Sequence, residues 1–415
     1  MRDAKREIVG CDRLKSLLTP WRLKWYSILV LLGVLIALLI VFFSGSGSKI
    51  LSGRLGGDFP AFYAAGRIIR TSGLNKLYDF DKQIKLQQDL FPDKKSYLPF
   101  SYPPFVALAY VPISLLPYRI AYSLNILLSL SAFFLAFVCL KPIIQGLDEY
   151  FLPIFALSMT FYPFLKSNLC GQNTAFTLML ITLIWRFTAE DRQYLAGIFV
   201  ALLLYKPQFS IPLIGLFILS RRYKVASSGI FAGCLIIAIS LFFTGIQPYK
   251  EWYNFIRWFS SADANVNAPN AVSWIGFLDT IFGTKNKIAL ILGATCCFAT
   301  VVIISYVWTI GGTKSDFNAQ MGLAAVSIIL IPAHMMFYDA GLIILTYAVI
   351  IERIHTRKIE LICVIWLIGL TQIFADRIGF SPLFFLVILT FIISLFYIGP
   401  EAMGKKIVKP VSENR

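Results

Sequence analysis

Long apolar runs, separated by short polar and basic segments, set the pattern of this chain. A membrane-crossing helix needs about 20 predominantly apolar residues. Runs of this kind lie near 25–44, 119–140, 151–166, 173–188, 193–205, 207–220, 224–243, 287–310, 319–333, 337–352, 359–374 and 380–399, several of them short. They predict twelve membrane helices. Two further apolar stretches, Tyr102–Leu116 and Val272–Phe282, are short and broken by Pro or Gly, which suits re-entrant or interfacial helices. The polar stretch from Asp81 to Lys95 reads as a surface helix with solvated charges.

Composition agrees with the pattern. Hydrophobic residues make up 58% of the 415 positions, charged residues 14%, and mean hydropathy is +0.73, against roughly 45–50% apolar and about 25% charged in soluble domains. The expected fold class is an all-α polytopic membrane protein. A disulfide framework is not predicted: there is no CxxC among the seven cysteines, and Cys139, Cys234, Cys296, Cys297 and Cys363 lie in apolar runs, where Cys behaves as a small hydrophobe. The net charge of +16 does not imply nucleic acid, because the basic residues cluster in loops between apolar runs. In a membrane protein such loops face the cytoplasm and anionic lipid.

The segment 1–24 carries seven Lys/Arg and is expected in the cytoplasm. It runs straight into an apolar span with no small-residue cleavage site behind it, so it does not read as a cleavable signal. Threading the spans from there puts Arg221–Lys224, Arg353–Lys358 (with His355) and the basic tail 400–415 inside. Residues 25–399 form one transmembrane domain. Segments 45–118 and 244–286 fall on the outer face, with the turns 166–173, 205–208 and 332–339. The expected location is the plasma (inner) membrane, with both termini cytoplasmic.

The cores of the predicted spans hold essentially no Asp, Glu, Lys, Arg or His. Transporters and pumps place such groups near the midplane. Here the polar chemistry sits at the outer helix ends. Asp58 precedes Phe59-Pro60 at a helix start, where it is either an N-cap or a general base at the membrane surface, with Phe59, Phe62 and Tyr63 behind it. Tyr102, in Tyr102-Pro103-Pro104, is placed to shape a cavity mouth or to play a purely structural part. The turn Asn168–Asn173 concentrates amides. Gln172 and Asn173 suit sugar hydroxyls, Gly171 would let a ligand approach the backbone, and Asn173 is alternatively a helix cap. Lys206 either snorkels to headgroups or neutralises a phosphate. His334, with Asp339 five residues on, suits phosphate contact or proton handling. There is no P-loop, GxGxxG, HExxH or nucleophile elbow, and no paired carboxylates to hold a metal with a nucleotide sugar. Neither a metal nor another cofactor is expected.

In order along the chain, Asp58-Phe59-x-x-Phe62-Tyr63-x-Ala65-Gly66, Leu77-Tyr78-Asp79, Tyr102-Pro103-Pro104-Phe105, Gly171-Gln172-Asn173, Tyr205-Lys206-Pro207 and His334-x-x-x-Tyr338-Asp339 resemble glycosyltransferase family 87. That family has the GT-C fold and includes polyprenol-phosphate-mannose-dependent α-mannosyltransferases. The resemblance implies a membrane transferase that takes a hexose, typically mannose, from a polyprenyl-phosphate donor and passes it to a lipid or glycan acceptor. It implies Asp58 as catalytic base and His334 at the active site. Lys206 and His334 then serve as phosphate contacts, and Tyr63, Tyr102, Gln172, Asn173 and Asp339 as sugar or acceptor contacts. The rival readings are a GT-C transferase of another sugar (aminoarabinose, glucose or arabinofuranose), a lipid-linked sugar flippase or other transporter, and a non-catalytic assembly factor.

Overall fold

A computed structural model describes residues 19–43, 55–92, 98–148, 150–284, 286–313, 315–354 and 358–404. Most of the basic segment 1–24, His355 and the end of the basic tail lie outside the described residues. The described residues are helical, with no strand and one isolated antiparallel bridge, Ala271 to Met336.

All twelve predicted apolar runs are helical. Among the described residues, four helices are long and apolar enough to cross a membrane by themselves: Tyr118–Leu140, Tyr223–Thr244, Lys287–Gly311 and the stretch Glu360–Ile378. Pro20–Phe43, 24 residues, carries the first run. The others are shorter, and some of the runs are interrupted. The run 151–166 splits into Phe151–Thr160 and Tyr162–Leu169 at Phe161, which is extended, with Pro163 two residues on in the first turn of the second helix. The run 337–352 becomes a 3₁₀ turn, Asp339–Leu342, followed by Ile343–Arg353. Twelve helical runs are therefore not twelve helices of membrane-spanning length.

Short helices need protein around them, and burial shows where. In Phe317–Leu330 every residue from Ala319 to Leu330 is buried, as expected of a helix that is apolar all round and central in its bundle. Pro207–Leu219, Lys287–Gly311, Ile343–Arg353 and Pro382–Tyr397 pack around it. Longer helices lie outside and present large apolar side chains outward, such as Phe242 and Phe243 on one and Phe298 on another, which suits a lipid-facing surface.

The two ends of the bundle differ. At one end charged residues lock helix termini together: Arg353 pairs with Asp316 at 2.6 Å, with Glu352 at 3.2 Å and with Glu401. Beside them the buried Arg222 donates to Gln320 Oε1 at 2.8 Å and lies over the Phe317 ring. The other end carries the long segments around 55–118 and 245–286. The first holds the helices Phe59–Ser72, Phe80–Leu90 and Pro104–Ala109. The second holds Gln247–Asn267, a 21-residue amphipathic helix that the apolar pattern did not announce, and Trp274–Phe282.

Candidate active site

Helix Phe59–Ser72 starts where Pro60 favours the first turn, and Asp58 occupies its N-cap position. The Asp58 side chain makes no capping hydrogen bond. The helix start is held instead through the backbone: the N–H groups of Asp58 and Phe59 both donate to the carbonyl of Cys170, at 2.9 and 3.1 Å. The contact needs glycine on each side. A Cβ on Gly57 would lie 2.7 Å from Cys170 Sγ, and one on Gly171 would lie 2.5 Å from Phe59 Cβ; both glycines also have positive φ. Gly171 is thus filled by Phe59 packing, and the expectation that it opens the backbone to a ligand is corrected.

This docking brings Gln172, two residues beyond Cys170, onto the Asp58 carboxylate. Gln172 Nε2 donates to Asp58 Oδ2 at 2.5 Å, and Tyr102 Oη donates to Gln172 Oε1 at 3.5 Å. An ionised carboxylate only accepts, so the amide must turn its NH₂ to Asp58 and its oxygen to Tyr102. The ring of Tyr102 also packs on Phe62, one helical turn after Asp58, with centroids 5.1 Å apart. Asp58, Phe62, Tyr102 and Gln172 therefore close a loop of contacts. Burial and the nearby Asp339 carboxylate push the Tyr102 hydroxyl well above the ordinary range, so it stays a neutral donor.

Tyr102 sits on a rigidly held segment. Tyr78 Oη donates to its carbonyl at 2.6 Å, and Trp252 Nε1 to the carbonyl of Ser101 at 3.0 Å. The buried Gln83 accepts from Phe100 N–H and donates to Leu77 O, and the buried Gln87 bonds both backbone groups of Leu98. Asp79, by contrast, caps helix Phe80–Leu90 through Lys82 N–H. Tyr205 lies across from Tyr102, the rings nearly parallel with centroids 6.5 Å apart, and its hydroxyl meets Thr177 Oγ1 at 2.5 Å.

Asn173 occupies the N-cap position of Thr174–Ala189 without a capping side-chain bond. Its buried Oδ1 has no hydrogen-bond partner among the described residues. Buried polar atoms are nearly always paired, whereas this oxygen keeps a free capacity to accept a hydrogen bond. Lys206 is only 3% exposed, which overturns the snorkelling alternative: Nζ forms an ion pair with Asp339 Oδ1 at 2.7 Å, and Thr174 Oγ1 donates to the same oxygen at 3.1 Å.

His334 belongs to a turn tied to residues 270–273: Val272 N–H donates to Met335 O at 2.8 Å and Phe337 N–H to Asn270 O at 2.9 Å. Burial raises the Asp279 carboxyl, and the His334 imidazole opposes that shift. The same turn delivers Asp339 to Lys206. Tyr63 stands apart from the polar set: its hydroxyl donates to Leu116 O at 2.8 Å and its ring packs edge-on to Tyr118. A cavity of about 450 Å³ lined by Phe137, Ile154, Phe161, Ile351 and Trp366 is apolar and includes none of the candidate residues.

Tyr205, Thr177, Thr174, Tyr78 and Trp252 were not foreseen as site residues. Tyr78 and Tyr205 stand inside motifs noted in the sequence; the two threonines and Trp252 carry no local signal.

The profile of glycosyltransferase family 87 matches residues 100–336, more than half of the chain. The chain belongs to glycosyltransferase family 87. As a member of family 87 it is a membrane glycosyltransferase, with a sugar donor and an acceptor as its substrates. Tyr102, Gln172, Asn173, Lys206 and His334 fall within the matched stretch, whereas Asp58 and Asp339 lie outside it and join the site through the contacts above. A comparison with curated proteins found no match.

Proposed function

We propose that this family 87 transferase moves a hexose, mannose, from a polyprenyl-phosphate donor to a lipid or glycan acceptor at the extracytoplasmic face of the plasma membrane. Asp58 is the general base. The acceptor O–H gives its proton to the Asp58 carboxylate, its oxygen bonds to the anomeric carbon, and the bond from that carbon to the phosphate oxygen breaks. The phosphate leaves with the electron pair and the anomeric configuration inverts. Phosphate departs as a stable anion, so one base suffices.

The observation that carries this reading is the Asp58 carboxylate, which sits at a helix start yet leaves the cap unmade and is held by the side-chain amide of Gln172. A structural carboxylate there would accept from N2 or N3 of its own helix. Around it, the Asn173 Oδ1 supplies an acceptor for sugar hydroxyls, and Tyr102 Oη, whose proton goes to Gln172, can accept from another. His334 contacts the donor phosphate from the neighbouring turn. Lys206, already neutralised by Asp339, acts by fixing the turn that carries Asp339. Placement of the candidate site groups together at one end of an apolar bundle supports a lipid-linked substrate whose tail stays in the bilayer.

The test is transfer by purified protein in liposomes containing radiolabelled polyprenyl-phosphate mannose and membrane lipid acceptors. Product with inverted anomeric configuration is expected. Transfer from a nucleotide sugar alone, with none from the lipid-linked donor, would refute the donor assignment.

A further inference from the structure

A departing phosphate needs a positive charge that is not already spent, and Lys206 is spent on Asp339. Lys166 is in the opposite condition. It lies on helix Tyr162–Leu169, is exposed, and takes part in no ion pair or side-chain hydrogen bond among the described residues. Its place follows from helix geometry. Residues four apart share a helix face, and the Lys166 carbonyl accepts from Cys170 N–H at 2.9 Å, which puts Cys170 one turn above Lys166. Cys170 faces the start of helix Phe59–Ser72: its Sγ, Cα and Cβ crowd Gly57, and its carbonyl holds the N–H of Asp58. Lys166 therefore stands one turn, about 5.4 Å, below the contact that fixes the catalytic carboxylate. The Cys170 thiol registers both neighbours: burial pushes it up to about 11, Lys166 pulls it down and Asp58 pushes it up.

We infer that Lys166 binds the phosphate of the lipid-linked donor, supplying the counter-charge that Lys206 does not. This rests on the reading of Asp58 as base and of a phosphate-linked donor. The other faces of the helix are occupied, since Pro163, Phe164, Ser167 and Asn168 are buried. Lys166 alone on it presents a free ammonium, and a long arm on an exposed face can follow the phosphate as it departs.

The experiment measures binding apart from transfer. Polyprenyl monophosphate in nanodiscs is titrated against wild type, Lys166→Gln and Lys166→Arg, and donor KM and kcat are measured in parallel. Loss of a charge-assisted contact should weaken polyprenyl monophosphate binding and raise donor KM by at least about tenfold in Lys166→Gln. Lys166→Arg should stay close to wild type. Thermal stability should not change, because the side chain is exposed. Equal binding by wild type and Lys166→Gln would overturn the role of Lys166 and leave the donor class standing. Absence of binding by wild type itself would overturn the lipid-phosphate reading together with it.

Discussion

Lys206 and Asp339, 133 residues apart in sequence, form an ion pair of 2.7 Å with side chains only 4% and 5% exposed. Two consequences follow. The pair joins the turn before Pro207–Leu219 to the turn after Phe317–Leu330, and Thr174 adds the end of a third helix. It also changes what a lysine substitution should do. Removing one partner of a buried pair leaves an uncompensated charge and costs about 3–5 kcal/mol. Lys206→Met should therefore lower the unfolding temperature in detergent and reduce yield. Lys206→Met combined with Asp339→Leu should recover much of the loss. A stable Lys206→Met single variant would show that the pair is not kept in the membrane.

Gly171→Ala tests the docking of the Gln172 turn onto the Asp58 helix. A left-handed backbone costs a non-glycine residue about 1–2 kcal/mol, and the new Cβ meets Phe59 Cβ at 2.5 Å, an overpacking of about 1–3 kcal/mol. Activity should fall more than stability, because the strain separates Gln172 from Asp58. Wild-type turnover in Gly171→Ala would mean that the turn can shift without cost to the site.

The helices were legible because apolar runs leave a periodic trace, and all twelve runs are helical. Their breaks were less so. Phe161 interrupts one run since Pro163 resets the chain, and only a reader weighting that proline above the surrounding hydrophobics would have split it. Helix Gln247–Asn267 escaped because it is polar on one side, although its inward residues Trp252, Phe255 and Phe259 repeat at intervals of three and four. At the site, residue types pointed to Asp58, Gln172 and Tyr102, but not to what each would touch. Nothing local in Lys206-Pro207 shows that its charge meets Asp339. Sequence spacing predicts faces of one helix; partners across 133 residues are set by packing.

Gln172→Glu probes the amide that holds the base. A second carboxylate within hydrogen-bond distance of Asp58 cannot also stay ionised, so the two share a proton over a range of pH. The base is active only when deprotonated. The acid limb of the kcat/KM profile should therefore move to higher pH, with activity partly recovered on the alkaline side. An unshifted profile would separate Gln172 from the base.

Orientation is open to labelling with a membrane-impermeant thiol reagent in a background free of native cysteine. Lys206 and Gln172 are too buried to report reliably. The exposed Lys166 and Tyr253 at the site end, and Arg221 and Tyr223 at the other, are better positions. Labelling of 166 and 253 from outside intact cells, and of 221 and 223 only after permeabilisation, is expected. The reverse pattern would turn the molecule over and put the site in the cytoplasm.

Asp58→Asn separates base from scaffold most cleanly. The substitution keeps volume and leaves an oxygen to accept from Gln172 Nε2. The wild-type side chain makes no cap bond, so no helix cap is lost and the protein should still fold and insert. The amide has no useful affinity for a proton near neutral pH. General-base catalysis contributes typically 10²–10⁴-fold, so turnover should fall at least about 100-fold while polyprenyl monophosphate still binds. Asp58→Glu, which restores a carboxylate displaced by one methylene, should recover a small part of the activity. Near-wild-type transfer by Asp58→Asn would remove Asp58 from the chemistry, leaving His334 as the next group to test.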